Sequence, residues 1–345
     1  MKKLSYAFYL AIVVFVLSEI ALRFIHMHDT YAEGVGDSYR TMYGITNSTI
    51  YHLHLPNLVY TPPNNDFSYG YATNSFGVRE KNYPTNKPDS TILIFTAGDS
   101  FSEGMGAPYD STWPHLLQSY LQADSLRAEV FNTGVAGNDP VYDYVFYRDS
   151  LRQFNPDYII VPLNASDFTD YIIRGGFERI NKDGSETFRK APWYETLYKY
   201  SRWCRVAVHS TEKFPYKGVF ATEEELLENI DNTMKNFESV IDSFVEIGKA
   251  NNTKIIVLLY STPSEIYWNN NINRKMETAF RLFENESKEK NIAVVNIWTE
   301  MIDKFKGKEI SQYTYENDKH YNANGYNYMA LIIAKKMKEQ KLLQK

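Results

Sequence analysis

Thr91-Ile92-Leu93-Ile94-Phe95-Thr96-Ala97-Gly98-Asp99-Ser100-Phe101-Ser102 is the stretch on which the fold turns. Its first part carries no charge and is rich in β-branched and apolar side chains, which predicts a buried strand over 91–97. Gly98 and Asp99 break that run, so Ser100 is expected on a turn at the strand's carboxyl end with its hydroxyl exposed. Far downstream, Asp318-Lys319-His320 sets an aspartate two residues before a histidine. Serine, histidine and aspartate are the parts of an acyl-transfer device: a nucleophile, its base, and the carboxylate that orients the base. Asp99 reads as an organiser of the turn, because Asp side chains accept from nearby backbone N–H groups.

Outward from this stretch, strand and helix signals alternate. Strands are predicted at 91–97, 128–131, 157–163, 254–260 and 292–297, and helices at about 111–123, 139–153, 222–250, 272–290 and 324–341. Trp113, Leu116, Leu117, Tyr120 and Leu121 form a helical stripe, with Pro114 tolerable in the first turn. Thr222 and Glu225 have the spacing of a capping box. Short apolar strands alternating with helices imply an α/β fold whose parallel sheet is covered on both faces. Such sheets bind ligands at the carboxyl ends of their strands. Ser100, Gly137 and Asn164 each lie just past a predicted strand and are expected to converge on one sheet edge.

Three further blocks stand in order behind the serine. Asn132-Thr133-Gly134-Val135-Ala136-Gly137-Asn138 follows the second strand, and Asn164-Ala165-Ser166-Asp167 follows the third. His320 lies in Asp318-Lys319-His320-Tyr321-Asn322-Ala323-Asn324-Gly325, which opens the last helix. In this order, over roughly residues 90–335, the chain resembles the SGNH (GDSL-type) serine hydrolases of the membrane-anchored bacterial kind. The resemblance implies a three-layer α/β/α sandwich around a mostly parallel, five-stranded, flavodoxin-like sheet. It implies Ser100 as nucleophile, His320 as base with Asp318 behind it, and an oxyanion hole begun by the Ser100 and Gly137 N–H groups. The third oxyanion donor departs from the family pattern Gly-x-Asn-Asp. Aligned on Asp167, the expected Asn is Ser166; aligned on the amide, it is Asn164, two residues earlier on the same strand face.

The remaining composition bounds the setting. The chain has 345 residues, is 43% hydrophobic and carries a net charge of −5, which suits one large domain plus an appendage. No basic block points to nucleic acid. The abundant Tyr and Phe are scattered and read as core and surface aromatics, with an aromatic-lined binding face as the sharper reading. Cys204 stands alone, so no intramolecular disulfide is available; it reads as a small buried apolar residue. His52 and His54 alternate on one potential strand face but lack partners at ligand spacing, and neither a metal nor a cofactor is expected.

Lys2 and Lys3 precede an apolar run from Leu4 to Leu22, interrupted near its end by Glu19. A cleaved signal peptide and an uncleaved membrane anchor compete; the lack of a convincing small-x-small site after the run favours the anchor. Either sends the rest of the chain across the membrane, to the periplasm or the cell surface, with the N-terminus in the cytoplasm. The expected organisation is an anchor or signal segment at 1–28, an irregular extension at 29–88, and a hydrolase domain at 89–343. The last carries an insertion at about 168–220, read as a lid or as surface packing. Three functions follow. The first is an extracytoplasmic serine esterase acting on small-molecule or glycan acyl esters, for instance on cell-envelope carbohydrate. The second is an O-acyltransferase using the same triad. The third is a non-catalytic glycan-binding or scaffold protein of this fold, supported by the altered Asn block.

Overall fold

The computed structural model describes residues 2–25, 53–61, 66–83, 90–180, 197, 200–210, 221–267, 270–306 and 310–343. Two short antiparallel strands, β1 (Val59–Tyr60) and β2 (Tyr71–Ala72), precede the main sheet. That sheet has the strands β3 (Ile92–Thr96), β4 (Ala128–Asn132), β5 (Tyr158–Leu163), β6 (Lys254–Leu259) and β7 (Ala293–Asn296) in the order β4-β3-β5-β6-β7. Every pairing within it is parallel. The chain runs outward from β3 to β4 and then crosses to the other side of β3 to place β5. The order therefore reverses beside β3, the position where open α/β sheets build their sites.

Alternation along each strand divides the core in two. Leu93, Phe95, Ile159, Val161, Val257 and Leu259 face one layer, formed by α4 (Pro140–Phe146), α5 (Ala165–Arg174), α7 (Glu223–Asn251) and α8 (Asn270–Glu289). Ile94, Val130, Ile160, Ile256 and Val295 face the other, formed by α3 (Trp113–Ala123), α9 (Trp298–Phe305) and α10 (Ala323–Glu339). Burial on both faces explains why these strands read as unbroken apolar runs. Thr222 and Glu225 close the capping box at the start of α7. The stretch expected as one helix over 139–153 ends its α-helical part at Phe146 and continues as a widened π turn and a 3₁₀ turn to Phe154.

Among the described residues, the segment 168–220 holds the end of α5, a 3₁₀ turn at Phe177–Arg179 and α6 (Arg202–Ser210). Residues 181–196 and 211–220 of that segment, and His52 of the extension, lie outside the described residues. Cys204 is half-buried rather than buried as expected, because it sits on the short helix α6 outside both core layers. At the other end, α1 (Lys2–Leu22) is apolar on all sides. Its stretch Ser5–Leu22 is long and apolar enough to cross a membrane, and none of it is buried in the protein.

Candidate active site

β3 delivers the chain to Gly98, whose φ of +115° belongs to glycine. A Cβ there would stand 2.4 Å from the Ser102 hydroxyl and 3.1 Å from the Pro162 ring. The chain then turns into α2 (Ser100–Glu103), capped by the Asp99 carboxylate, which accepts from the Phe101 N–H at 2.9 Å. Ser100 thus occupies the first helical position, just beyond the carboxyl end of the sheet.

The histidine meets it there. His320 Nε2 lies 2.7 Å from Ser100 Oγ, and His320 Nδ1 lies 2.5 Å from Asp318 Oδ1. The same carboxylate oxygen accepts the His320 backbone N–H at 3.0 Å, which closes a tight turn between the two residues. With Nδ1–H donated to Asp318, the Nε2 lone pair faces the serine hydroxyl, as a base requires. The His320 ring packs on Phe101 at a centroid distance of 4.7 Å. Asp66 of the N-terminal extension holds the turn from outside. It accepts the N–H groups of Asn317 and Asp318 and the Asn317 side-chain amide at 2.9, 2.6 and 2.9 Å. The Asp318 N–H above all, with Asn317, keeps the Asp66 carboxyl below the usual aspartate range.

Gly137 lies beyond β4 with φ +82°, a left-handed conformation open to close approach. Its loop is tied down on three sides. The Val135 N–H donates to Gly98 O at 2.9 Å, the Ala136 N–H to Glu103 Oε2 at 2.6 Å, and Arg174 Nη1 to Gly137 O at 2.6 Å. The N–H groups of Ser100 and Gly137 donate to no other described residue. Both can therefore receive a ligand oxygen.

The third block has a different arrangement. Asn164 is the N-cap of α5 and, with Asp167, forms a capping box. Its side-chain amide donates to Asp99 Oδ2 at 3.1 Å and to the Tyr260 hydroxyl at 2.7 Å, and the residue is only 1% exposed. Both amide hydrogens are thus committed inside the protein. Ser166 is half-buried, with its hydroxyl 3.0 Å from Asp99 Oδ2 and 2.5 Å from Asn164 Oδ1. Burial, then the Asp99 charge, pushes the Asp167 carboxyl well above its usual range.

Sequence reasoning missed the support beneath the serine. Glu103, on α2, is 1% exposed. It accepts from the Ala136 N–H, from the Tyr71 hydroxyl at 2.6 Å, and pairs with His54 Nε2 at 2.9 Å. Burial acts to raise its pKa, but the His54 charge and these hydrogen bonds outweigh it and hold the carboxyl below the usual glutamate range. Buried Arg79 donates to the carbonyls of Gly104 and Ala107, both at 2.8 Å, and fastens the end of α2. In the sequence, His54 reads only as half of an alternating pair with His52, and the Asn74–Arg79 piece has packing beside the site as its default reading; no spacing links them or Tyr71 to Glu103. The Asn164/Asp167 capping box, by contrast, had a sequence signal in its spacing.

The sequence pattern of the GDSL-like lipase/acylhydrolase family matches residues 94–333, well over half of the chain. Among solved structures, one similar to this chain is a catalytic mutant of Axe2, an acetylxylan esterase from Geobacillus stearothermophilus. It is 16% identical, with 74% of this chain and 96% of that one covered and a TM-score of 0.43. Another is a lipolytic protein of the G-D-S-L family from Desulfitobacterium hafniense DCB-2, 15% identical over 71% of this chain and 98% of that one, TM-score 0.41. A third is LAE5, an alpha/beta hydrolase enzyme from the metagenome of Lake Arreo, Spain, 14% identical over 72% and 96%, TM-score 0.42. No protein of curated function matches the chain in sequence. With the Gly98-Asp99-Ser100 turn and the downstream Asp318/His320 block inside or bounding one continuous match, the chain belongs to the GDSL-like lipase/acylhydrolase family and is an ester-bond hydrolase.

Proposed function

We propose that Ser100, His320 and Asp318 perform the hydrolysis as a catalytic triad. The observation that carries this reading is the unbroken hydrogen-bonded line from Ser100 Oγ through both imidazole nitrogens to Asp318, with donor–acceptor distances of 2.7 and 2.5 Å. Ser100 Oγ attacks the ester carbonyl while His320 Nε2 takes its proton; the imidazolium then returns the proton to the departing alcohol oxygen. Water, deprotonated in turn by His320, attacks the acyl-serine and releases the acid. Asp318 keeps the productive tautomer and stabilises the imidazolium.

The tetrahedral oxyanion is received by the Ser100 and Gly137 N–H groups. Ser166 is the third donor we assign: its hydroxyl bonds Asp99 and Asn164 at rest but sits on a half-buried side chain that can rotate, whereas the Asn164 amide is fixed by two bonds in the interior. Removing one oxyanion donor costs roughly 3–4 kcal/mol of transition-state stabilisation. The complete triad favours catalysis over the glycan-binding or scaffold reading.

The proposed setting is the outer side of the cytoplasmic membrane, with α1 as the anchor. The proposed substrate is an acyl ester on an envelope carbohydrate, a choice consistent with the acetylxylan activity named for the Geobacillus protein. A fluorophosphonate probe tests the chemistry. It should label the wild-type protein at Ser100 and leave Ser100→Ala and His320→Ala unlabelled. An unlabelled wild-type protein that also leaves a p-nitrophenyl ester intact would sink the triad assignment.

A further inference from the structure

Glu19 is a carboxylate inside an otherwise apolar helix, one turn before its end. Unpaired, it would be costly in a bilayer. Here it accepts the backbone N–H groups of Arg202 and Trp203 at 2.6 and 3.0 Å and the Ser201 hydroxyl at 3.1 Å. Those two N–H groups belong to the first turn of α6, which has no intrahelical acceptor for them. The two needs are met by one joint. Next to it, the Trp203 indole N–H donates to Ser18 Oγ at 2.7 Å, and the Arg23 guanidinium donates to the Tyr200 carbonyl at 3.1 Å.

The joint gathers large apolar side chains around the last turn of α1. Leu197, Tyr200 and Trp203 are 58%, 66% and 39% exposed, beside Phe24 at 87%. With a rise of 1.5 Å per residue, Ser18 lies about 6 Å before Leu22 along the helix axis. The bond to Ser18 therefore holds Trp203 about one turn from the end of the apolar span, and Trp and Tyr collect at such ends because they have an apolar body and a polar tip.

We propose that α6, with Leu197 and Tyr200 before it, is a membrane-interface module, locked to α1 through Glu19 and Ser18, with Leu197, Tyr200 and Trp203 in the lipid boundary. The proposal rests on α1 being retained as an anchor. What selects lipid as the occupant is continuity: beyond the joint at Ser18 and Glu19 the patch adjoins the apolar spanning stretch of α1, no residue of which is fully buried in the protein. The role of this part of the insertion is then to meet the bilayer instead of closing over the site.

The test uses the full chain in liposomes whose acyl chains carry bromine either near the headgroup or near the chain end. Of the five tryptophans, none lies in α1, so the wild-type minus Trp203→Phe difference isolates Trp203. Shallow bromines should quench that difference signal more than deep ones. Glu19→Ala should lose the shallow quenching while hydrolysis of a soluble ester stays unchanged. If the protein floats with the vesicles but the Trp203 signal is untouched by bromine, the module is wrong while the anchor stands. If bromine leaves the signal untouched and aqueous iodide is also excluded, the patch is covered by a second copy or a protein partner, and the lipid assignment fails. If the purified chain begins after Leu22 and does not float, the anchor reading fails and takes the module with it.

Discussion

The two halves of the site are held in different ways. The serine half is sunk into the protein: Glu103, which braces it from below, is 1% exposed, and its partners His54, Tyr71 and Ala136 are buried with it. The acid–base half rides on the surface. The side chains of His320 and Asp318 are 21% and 15% exposed, and their turn hangs on the half-buried carboxylate of Asp66. In the first half a lost contact strands buried polar groups, so it should be felt as lost stability. In the second, water can replace what is removed, so a lost contact should be felt as misalignment of the reacting groups.

The largest effect expected is on the exposed half. Asp318→Asn should lower kcat for a soluble ester by about 10⁴-fold, as expected when the imidazole takes the wrong tautomer, with the melting temperature nearly unchanged. A comparable fall in melting temperature would show that this half is structural after all. Next comes Glu103→Ala, which leaves His54 and the Ala136 N–H buried without their acceptor. A loss of about 3–5 kcal/mol in denaturant unfolding is expected. If that variant unfolds like wild type, the buried half is not the stabilising one. Asp66→Ala should reduce kcat by about tenfold through a small displacement of the turn, with KM retained, while thermal unfolding barely moves. An equal change in KM would point to substrate contact instead of positioning.

The smallest effect is a pH signature. Glu103 has a folded-state pKa below its unfolded value near 4.5, so its contribution is fully present above pH 4.5. It is lost as pH falls through the depressed folded value. Compared with Glu103→Gln, wild type should therefore lose stability more steeply below pH 4.5, and the two curves should run parallel above it. Convergence at high pH rather than low would reverse the assigned sign.

This contrast also marks what could be read from sequence. The strand ends, the glycine turn and the aspartate–histidine spacing are local patterns, and the structure brings Ser100, Asp318 and His320 together as their placement implied. The alternation that set the parallel sheet was local as well. Glu103 carried no signal in the sequence, since its partner His54 is 49 residues away. Asp66 reaches a turn 252 residues downstream. Such contacts arise from where the extension packs, a tertiary fact with no imprint on residue spacing. Asn164 is ambiguous in sequence for another reason. One side chain can serve as an oxyanion donor or as a helix cap bonded to Asp99 and Tyr260, and sequence does not say which use its two hydrogens are given.

Gly98 bears on how this turn tolerates change. It contributes no side chain, yet its φ of +115° and the crowding by Ser102 and Pro162 close the position to every L-amino acid with a Cβ. In a saturation screen for ester turnover, position 98 should therefore look as intolerant as the serine it precedes. Its constraint comes from space, not from chemistry. The nearest obstacle is the Ser102 hydroxyl at 2.4 Å, ahead of the Pro162 ring at 3.1 Å, so a smaller residue at 102 is where partial second-site suppressors of a Gly98→Ala defect should be sought.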